Sequence, residues 1–308
     1  MKYSFVLPAY KATYFREAID SILAQTYTDF ELIIVNDASP EDLDSIVKSY
    51  DDSRIKYFIN EDNIGGKDLV AQWNHSILYA RGEYLILASD DDVYFPQYLE
   101  RMDVLVEKYP DVKVFRPRVQ VIDEQGRLKH VYGCISEKVS LFEYCNYWIS
   151  TGGAIGHIVF DRESLIEKGG FVNFPMAWGS DEATILMMGY RGICFDSEIL
   201  YSFRNSGVNI SSRINNYHSL TQKVEARRQF YNWLKGFLEE NSANSIYEQF
   251  HKEKSQEQLA NEFQSITLSL LNQTTFLYAL RVVPRLLKLE YVSFLVVLKK
   301  LVLNLFSR

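Results

Sequence analysis

Cysteine is scarce and poorly placed for bonding. The three in 308 residues, Cys134, Cys145 and Cys194, form an odd set with no C-x-x-C spacing, so neither a disulfide framework nor a zinc knuckle is indicated. The five histidines show no metal-ligand pairing, and His157 reads as a structural strand residue. Long hydrophobic runs are also missing. The longest near the C-terminus, Tyr291 to Leu298, falls well short of the ~18–20 residues a membrane span needs. The N-terminus opens into Lys2-Tyr3-Ser4-Phe5-Val6-Leu7-Pro8, too short an apolar stretch for a signal peptide, and a cytoplasmic location is the expectation. A net charge of −7 and a pI near 5.4 leave no basic field over the body and argue against a nucleic-acid partner. No internal repeat or low-complexity stretch is visible.

What the chain does have is enough apolar material, 47% against 24% charged, for one large domain and an appendage. Strand and helix patterns alternate through the first half. Tyr3–Leu7, Phe30–Val35, Ile55–Ile59 and Tyr84–Ala88 read as strands. Helical spacings fall between them, at Phe15, Ala18, Ile19, Ile22 and Leu23, at Leu43, Ile46, Val47 and Tyr50, and at Leu69, Trp73, Ile77 and Ala80. Ser39-Pro40-Glu41-Asp42 reads as a helix start, with a serine cap and proline in the first position. Pro96 opens another helix through Leu99, Met102 and Val106, and Val112–Val121 with Leu128–Tyr132 reads as a hairpin. Repeated βα units imply an α/β fold, a mostly parallel sheet flanked by helices. From about Asn215 the pattern is helical, which places a boundary between a domain over 1–214 and a helical region over 215–308.

The most informative feature is Asp90-Asp91-Asp92, directly after the apolar run Tyr84–Ala88. That run reads as a strand buried on both faces, and three carboxylates at its end are costly unless neutralised. A divalent cation with oxygen ligands would do so, at the sheet edge where open α/β folds bind ligands. A solvated acidic turn is the competing reading. Asn36-Asp37 closes the second strand in the same way. Beside the Pro8-Ala9-Tyr10 end of the first strand, Asp37 can accept the imide N–H of a uracil while Tyr10 packs on the base. An ordinary turn residue is the alternative.

In order and spacing, V-L-P-A-Y (6–10), I-V-N-D-A-S (34–39), N-I-G (63–65), A-x-G-E-Y-L-I-L-A-S-D-D-D-x-x-x-P (80–96) and G-S-D-E (179–182), with Gly192 beyond, resemble the family 2 glycosyltransferases. The resemblance covers roughly residues 1–210. It implies inverting enzymes of the GT-A fold, a nucleotide-diphospho-sugar donor and a divalent metal, Mg²⁺ or Mn²⁺. Carried onto this chain, it implies that Asp37 holds the base and that Pro8, Ala9 and Tyr10 line the nucleoside pocket. Asp90 would face the ribose or sugar, and Asp91 would be the metal-linked carboxylate, the metal stabilising the departing diphosphate. Asp181 would be the base that takes the acceptor proton, with Glu182 as the alternative. Ser180 is expected to cap the helix that follows, whose positive end would keep Asp181 ionised.

Three positions depart from the family pattern. Ser89 stands where many members place an aspartate. Ala38 stands where glycine is common, so the turn is expected to avoid a left-handed conformation. Gly66-Lys67 replaces an arginine-bearing pattern, which makes Lys67 the candidate diphosphate contact, against a solvated lysine. Trp178 is a candidate stacking platform for an acceptor sugar, against core packing. Arg204, ahead of Asn209-Ile210-Ser211-Ser212, is a candidate phosphate clamp, against a surface arginine. Gly152-Gly153-Ala154-Ile155-Gly156 lacks the phosphate-binding glycine patterns and reads as close backbone approach near the acceptor.

The function implied is transfer of one sugar, uridine-linked, to a glycan or lipid-linked acceptor in cell-surface polysaccharide biosynthesis. Neither transmembrane helices nor a Q-x-x-R-W motif, marks of the processive synthases, is present. A sugar nucleotidyltransferase would want a glycine-rich basic loop where Pro8-Ala9-Tyr10-Lys11-Ala12 stands. A non-catalytic carbohydrate-binding or scaffold protein would have no need of Asp37, Asp91 and Asp181. After Phe276 six basic residues face one acid, and Phe294, Leu295, Val297, Leu298, Leu301, Val302, Leu305 and Phe306 share a helical face. A basic amphipathic tail of this kind can lie peripherally on the inner face of the cell membrane or join two copies of the chain.

Overall fold

The computed structural model describes residues 1–141, 143–144, 154–206 and 217–241, with 248 and 284 as isolated positions. The apolar runs of the first half become strands because helices cover both faces of the sheet they build. β1 (Tyr3–Ala9) and β2 (Phe30–Asn36) are buried along nearly their whole length. β3 (Ile55–Ile59) lies outside β2, and β4 (Tyr84–Leu87) lies on the other side of β1. These four strands are all parallel. The remainder is β5 (Val93–Tyr94), β6 (Val114–Ile122), β7 (Leu128–Val131), β8 (Lys138–Val139), β9 (Val159–Asp161) and β10 (Ile193–Arg204). The order across the sheet is β3-β2-β1-β4-β9-β6-β10-β5, with β7 beside β6 and β8 beside β10.

The expected fold class is present, but the sheet is parallel only in its first half. β9 enters antiparallel between β4 and β6, while β6 and β10 run parallel to each other. The expected hairpin is the antiparallel pair β6–β7. Among the helices, α1 (Phe15–Leu23) buries Phe15, Ala18, Ile19 and Ile22, the expected stripe. α2 (Leu43–Lys48), α3 (Leu69–Ser76) and α4 (Tyr98–Lys108) follow. The start of α2 differs from expectation. Asp42 caps it by accepting from Ser45 N at 3.0 Å, while the Ser39 hydroxyl accepts from Glu41 N at 3.0 Å, ahead of the helix.

The junction before β4 shows why Gly82 must be glycine. The Ser4 hydroxyl donates to the buried Glu31 carboxylate at 2.7 Å and accepts from Gly82 N at 2.8 Å, while Arg81 N donates to Glu31. A Cβ on Gly82 would lie 2.7 Å from Ser4 N. Behind the acidic turn, Tyr94 packs edge-on against Phe5, Tyr98 and Tyr201, with ring centroids 5.0–5.1 Å apart. Each such pair contributes about 0.5–1.5 kcal/mol beyond its area.

The chain divides into two compact units. The first is Met1–Asn173 with Thr184–Ser206 and carries the sheet; the second is Phe174–Ala183 with the residues from Gly207 on. Within the first, α5 (Arg162–Glu167) follows β9. α6 (Ser180–Met188) begins in the second unit, and that unit's long helix is α7 (Tyr217–Glu240). The 214/215 boundary, Cys145, Gly152-Gly153, the 209–212 segment and the amphipathic tail all lie outside the described residues. No helix among the described residues is long and apolar enough to cross a membrane.

Candidate active site

In the first unit, the carboxyl ends of β2, β1 and β4 lie side by side and bring four of the predicted features together. Asp37, one residue past β2, is buried, and its carboxylate is met by three donors. Asn60 Nδ2 and Ile64 N approach one oxygen at 2.8 and 2.9 Å, and Gly65 N approaches the other at 2.7 Å. Two separate sequence motifs, N-D and N-I-G, are thus one hydrogen-bonded device. Gly65 has its own reason to be glycine, because a Cβ there would sit 2.8 Å from Asp37 Oδ2. Asn60 is in turn held by Gln72 Oε1 at 2.8 Å, and Gln72 is bonded to Ser76. Sequence reasoning missed Asn60 and Gln72. The available signal was a glutamine on the inward face of α3, where it is buried.

The turn after Asp37 corrects one expectation. Ala38 does adopt a left-handed conformation, φ +47°, at a cost of about 1–2 kcal/mol for a residue with a Cβ. Neighbouring bonds hold it there. Asn36 Oδ1 accepts from Ser39 N at 2.9 Å, and Ser39 Oγ donates to Tyr10 O at 2.7 Å. That bond ties the turn to the end of β1, where Pro8 and Ala9 lie in the strand and the Tyr10 ring is exposed. Lys67 lies exposed on the loop that Asp37 organises, its N–H on Ile64 O.

The three aspartates after β4 have three different fates. Asp90 accepts from Tyr10 N at 3.0 Å and Lys11 N at 2.9 Å, which joins it to the end of β1. Burial, then Asp91, pushes its carboxyl up to about 6. Asp91 accepts from Ser89 Oγ at 2.5 Å. Asp92 turns inward, bonded by the Tyr201 hydroxyl and by Arg204 N, the latter at 2.7 Å. Burial, then Asp91, holds Asp92 well above the usual carboxylate range. The inward turn of Asp92 takes it out of the candidate ligand set.

Arg204 is the second correction. It is buried, with Nε donating to Asp91 O at 2.8 Å, Nη2 paired with Glu17 at 2.7 Å, and its guanidinium over the Tyr14 ring. The side chain is a post under the acidic turn, and a phosphate clamp would need it exposed. The Gly156 carbonyl accepts from Tyr94 OH, within the protein core. His157 is wholly buried between that turn and β9, with burial pushing its ring well below the usual histidine range.

In the second unit, α6 opens at Ser180 itself, whose hydroxyl accepts from Phe174 N at 3.2 Å. Asp181 Oδ1 accepts from Glu182 N at 2.9 Å. Burial, then the Glu182 charge, pushes Asp181 up to about 6. The helix end was expected to keep it ionised, and desolvation outweighs that dipole. Glu182 forms a two-pronged pair with Arg227 of α7, Nη2 to Oε1 at 2.9 Å and Nη1 to Oε2. Trp178 has the Lys223 ammonium over its ring at 4.0 Å, so that face is covered by protein. Burial lowers Lys223 to about 8.

Among the described residues no three acidic, histidine or cysteine side chains form a metal cage. The donor set at Asp91 fits a different kind of site. One carboxylate and a hydroxyl suit a magnesium-like cation, which keeps waters and takes its remaining ligands from substrate phosphates. A match to the family model for glycosyl transferase family 2 spans residues 4–168, more than half of the chain and all of the Asp37–Asp92 edge.

The chain belongs to the family 2 glycosyltransferases. This family 2 chain is 42% identical over 106 residues to an uncharacterized glycosyltransferase of Rickettsia typhi, covering 34% of the chain and 32% of that relative. It is 35% identical over 118 residues to one from Methanocaldococcus jannaschii, covering 37% and 40%. The chain thus spans two fifths or less of the length of these relatives. In fold it is similar to TarS 1-349 of S. aureus, solved in complex with UDP-GlcNAc. The TM-score is 0.58 and the identity 16%, over 99% of this chain and 89% of that one.

Proposed function

We propose that this family 2 chain is an inverting glycosyltransferase that moves one sugar from a uridine-diphospho-sugar to a hydroxyl of a glycan or lipid-linked acceptor. The observation that carries the reading is the edge formed by β2, β1 and β4. There Asp37 is preorganised by neutral donors, the Tyr10 ring is exposed beside it, and Asp91 stands across the end of β1. The TarS complex with UDP-GlcNAc supports a uridine-linked donor. Asp37 is an acceptor-only group suited to a base N–H, and Tyr10 supplies a flat apolar surface. Asp91, with Ser89, would hold a divalent cation, which supplies electrostatic stabilisation of charge on the leaving diphosphate. Lys67 is placed on a loop that can contribute charge toward phosphate.

Asp181 takes the acceptor proton. The acceptor oxygen bonds to the anomeric carbon as the carbon–oxygen bond to the diphosphate breaks on the opposite face, so configuration inverts. The hydroxyl proton passes to Asp181 and the electron pair leaves with the nucleoside diphosphate. A carboxyl at about 6 is ionised at neutral pH, yet more basic than an exposed aspartate. The basic, apolar sequence after Phe276 suits an acceptor carried on a lipid surface, as part of cell-surface polysaccharide assembly.

Thermal denaturation with UDP and Mn²⁺, followed by hydrolysis of a UDP-sugar panel without acceptor, tests the proposal. Metal-dependent stabilisation by UDP and slow hydrolysis of one donor are expected. No stabilisation by any nucleoside diphosphate, with full transfer in excess chelator, would overturn it.

A further inference from the structure

The proton-accepting role proposed for Asp181 leaves a problem that the second unit itself solves. Asp181 and Glu182 are adjacent carboxylates in the first turn of α6. Two like charges so close raise each other's proton affinity and compete for the same proton. One face of α7 reads Leu220, Lys223, Arg227, Phe230 and Leu234, a stripe at three- and four-residue spacing in which every member is buried. Two cations thus interrupt an apolar stripe, and burying them is costly unless they are engaged.

Both are engaged beside the start of α6. Arg227 grips Glu182 with both terminal nitrogens, a planar fork on a carboxylate. Its guanidinium also lies 5.4 Å from the Phe230 ring centroid and 5.9 Å from that of Trp178. Lys223, one turn earlier, covers Trp178. The approach is close because Gly179, at φ +92°, has no Cβ. One built there would lie 3.1 Å from Phe230 and 3.5 Å from Arg227 Nη1. Met176 and Ala177 are left-handed at φ +57° and +55°, so the segment leading to Gly179 is held in a strained form. Among the described residues, the charged groups that act on Asp181 are Glu182 on its own helix and Arg227 on α7.

We propose that Arg227 is a positioning residue for sugar transfer. Its fork offsets part of the Glu182 charge and fixes the first turn of α6, leaving Asp181 as the proton acceptor and making α7 part of the working enzyme. The inference rests on Asp181 being the base, and its test separates the two ideas.

The full chain is compared with Arg227→Gln, Arg227→Lys, Glu182→Gln and the double variant Glu182→Gln/Arg227→Gln. Readouts are kcat, donor KM and the pH profile. Arg227→Gln leaves a bare glutamate beside Asp181, so the base is protonated at higher pH. The acid limb should rise by about one unit, with kcat at pH 7 down about twofold, kcat at pH 5 down nearly tenfold, and donor KM nearly unchanged. Glu182→Gln removes the like charge and keeps the cation, so the limb should fall. The double variant should return toward the parent. Lysine should rescue only in part, since it offers charge without the fork.

If Arg227→Gln does not fold, the Glu182→Gln limb decides. A fall supports the proposal and an unmoved limb overturns it. Unchanged kcat and pH profile in folded Arg227→Gln, while Asp181→Asn is inactive, overturns the positioning role and spares the base. Normal transfer by Asp181→Asn would instead sink the base assignment beneath it.

Discussion

The acids of the β2–β1–β4 edge in the first unit and Glu182 in the second are held in opposite ways. Along the β2–β1–β4 edge, Asp37, Asp90 and Asp92 are held by backbone amides, an asparagine and a tyrosine hydroxyl, all neutral donors. In the second unit, Glu182 is held by a full positive charge. Neutral donors orient a carboxylate without cancelling its charge, so the edge retains an acidic field suited to a cation and its diphosphate. An arginine fork offsets the charge it binds, which suits an acid that must not compete with its neighbour. Under the proposed function, the edge would attract a cation and the start of α6 would keep one proton acceptor apart.

The largest effect is expected from Asp91→Ala. Loss of the carboxylate should abolish transfer and eliminate metal-dependent stabilisation by UDP in a thermal shift, and persistence of that shift would contradict the metal assignment. Next is Asp181→Asn, nearly isosteric, which should cut kcat by about 10²–10⁴-fold with donor binding preserved. The unaltered enzyme should also lose rate as pH falls. Asp181 is raised to about 6, so its base form is present above that pH and lost below it. A kcat flat from pH 7 to pH 5 would remove Asp181 as the base, and inactivity of Glu182→Gln with normal Asp181→Asn would move the role by one residue.

A smaller change is expected from Gly65→Ala. Its Cβ would press on Asp37 Oδ2, and overpacking of this sort costs about 1–3 kcal/mol. Donor KM should rise more than kcat falls; equal values for variant and parent would mean that Asp37 does not set donor affinity. The smallest effect concerns the C-terminal sequence. Sedimentation with anionic liposomes should be salt-sensitive for the full chain and lost when it ends at Thr275. A change in oligomer size without sedimentation of either form would make the tail an assembly element.

Much of the first unit was legible because its signals are local. Apolar runs marked β1 to β4, and acids directly after two of them marked the edge, since a doubly buried strand must be apolar and can carry charge only where it ends. The stripe of α1 and the β6–β7 hairpin followed from periodicity and turn residues. The start of α2 differs because Ser39 makes the local bond from Glu41 N and ties the turn to Tyr10 O, 29 positions away, while the helix itself is capped by Asp42. Ala38 was expected to avoid a left-handed turn on steric grounds, and bonds from Asn36 and Ser39 hold it there.

By itself the sequence determined the family, the order of strands and helices, and which acids stand at strand ends. Each of these is set by residues within a few positions of one another. Tertiary structure alone decided what those acids do. Asp92 is claimed by Tyr201 and Arg204, more than a hundred positions on. Arg204 is a post because Glu17 and Tyr14 enclose it. Glu182 is gripped by an arginine 45 positions later, on a helix whose buried stripe shows two cations but not their partners. A carboxylate's charge, proton affinity and direction depend on what surrounds it in space, and the fold brings those neighbours from distant parts of the chain.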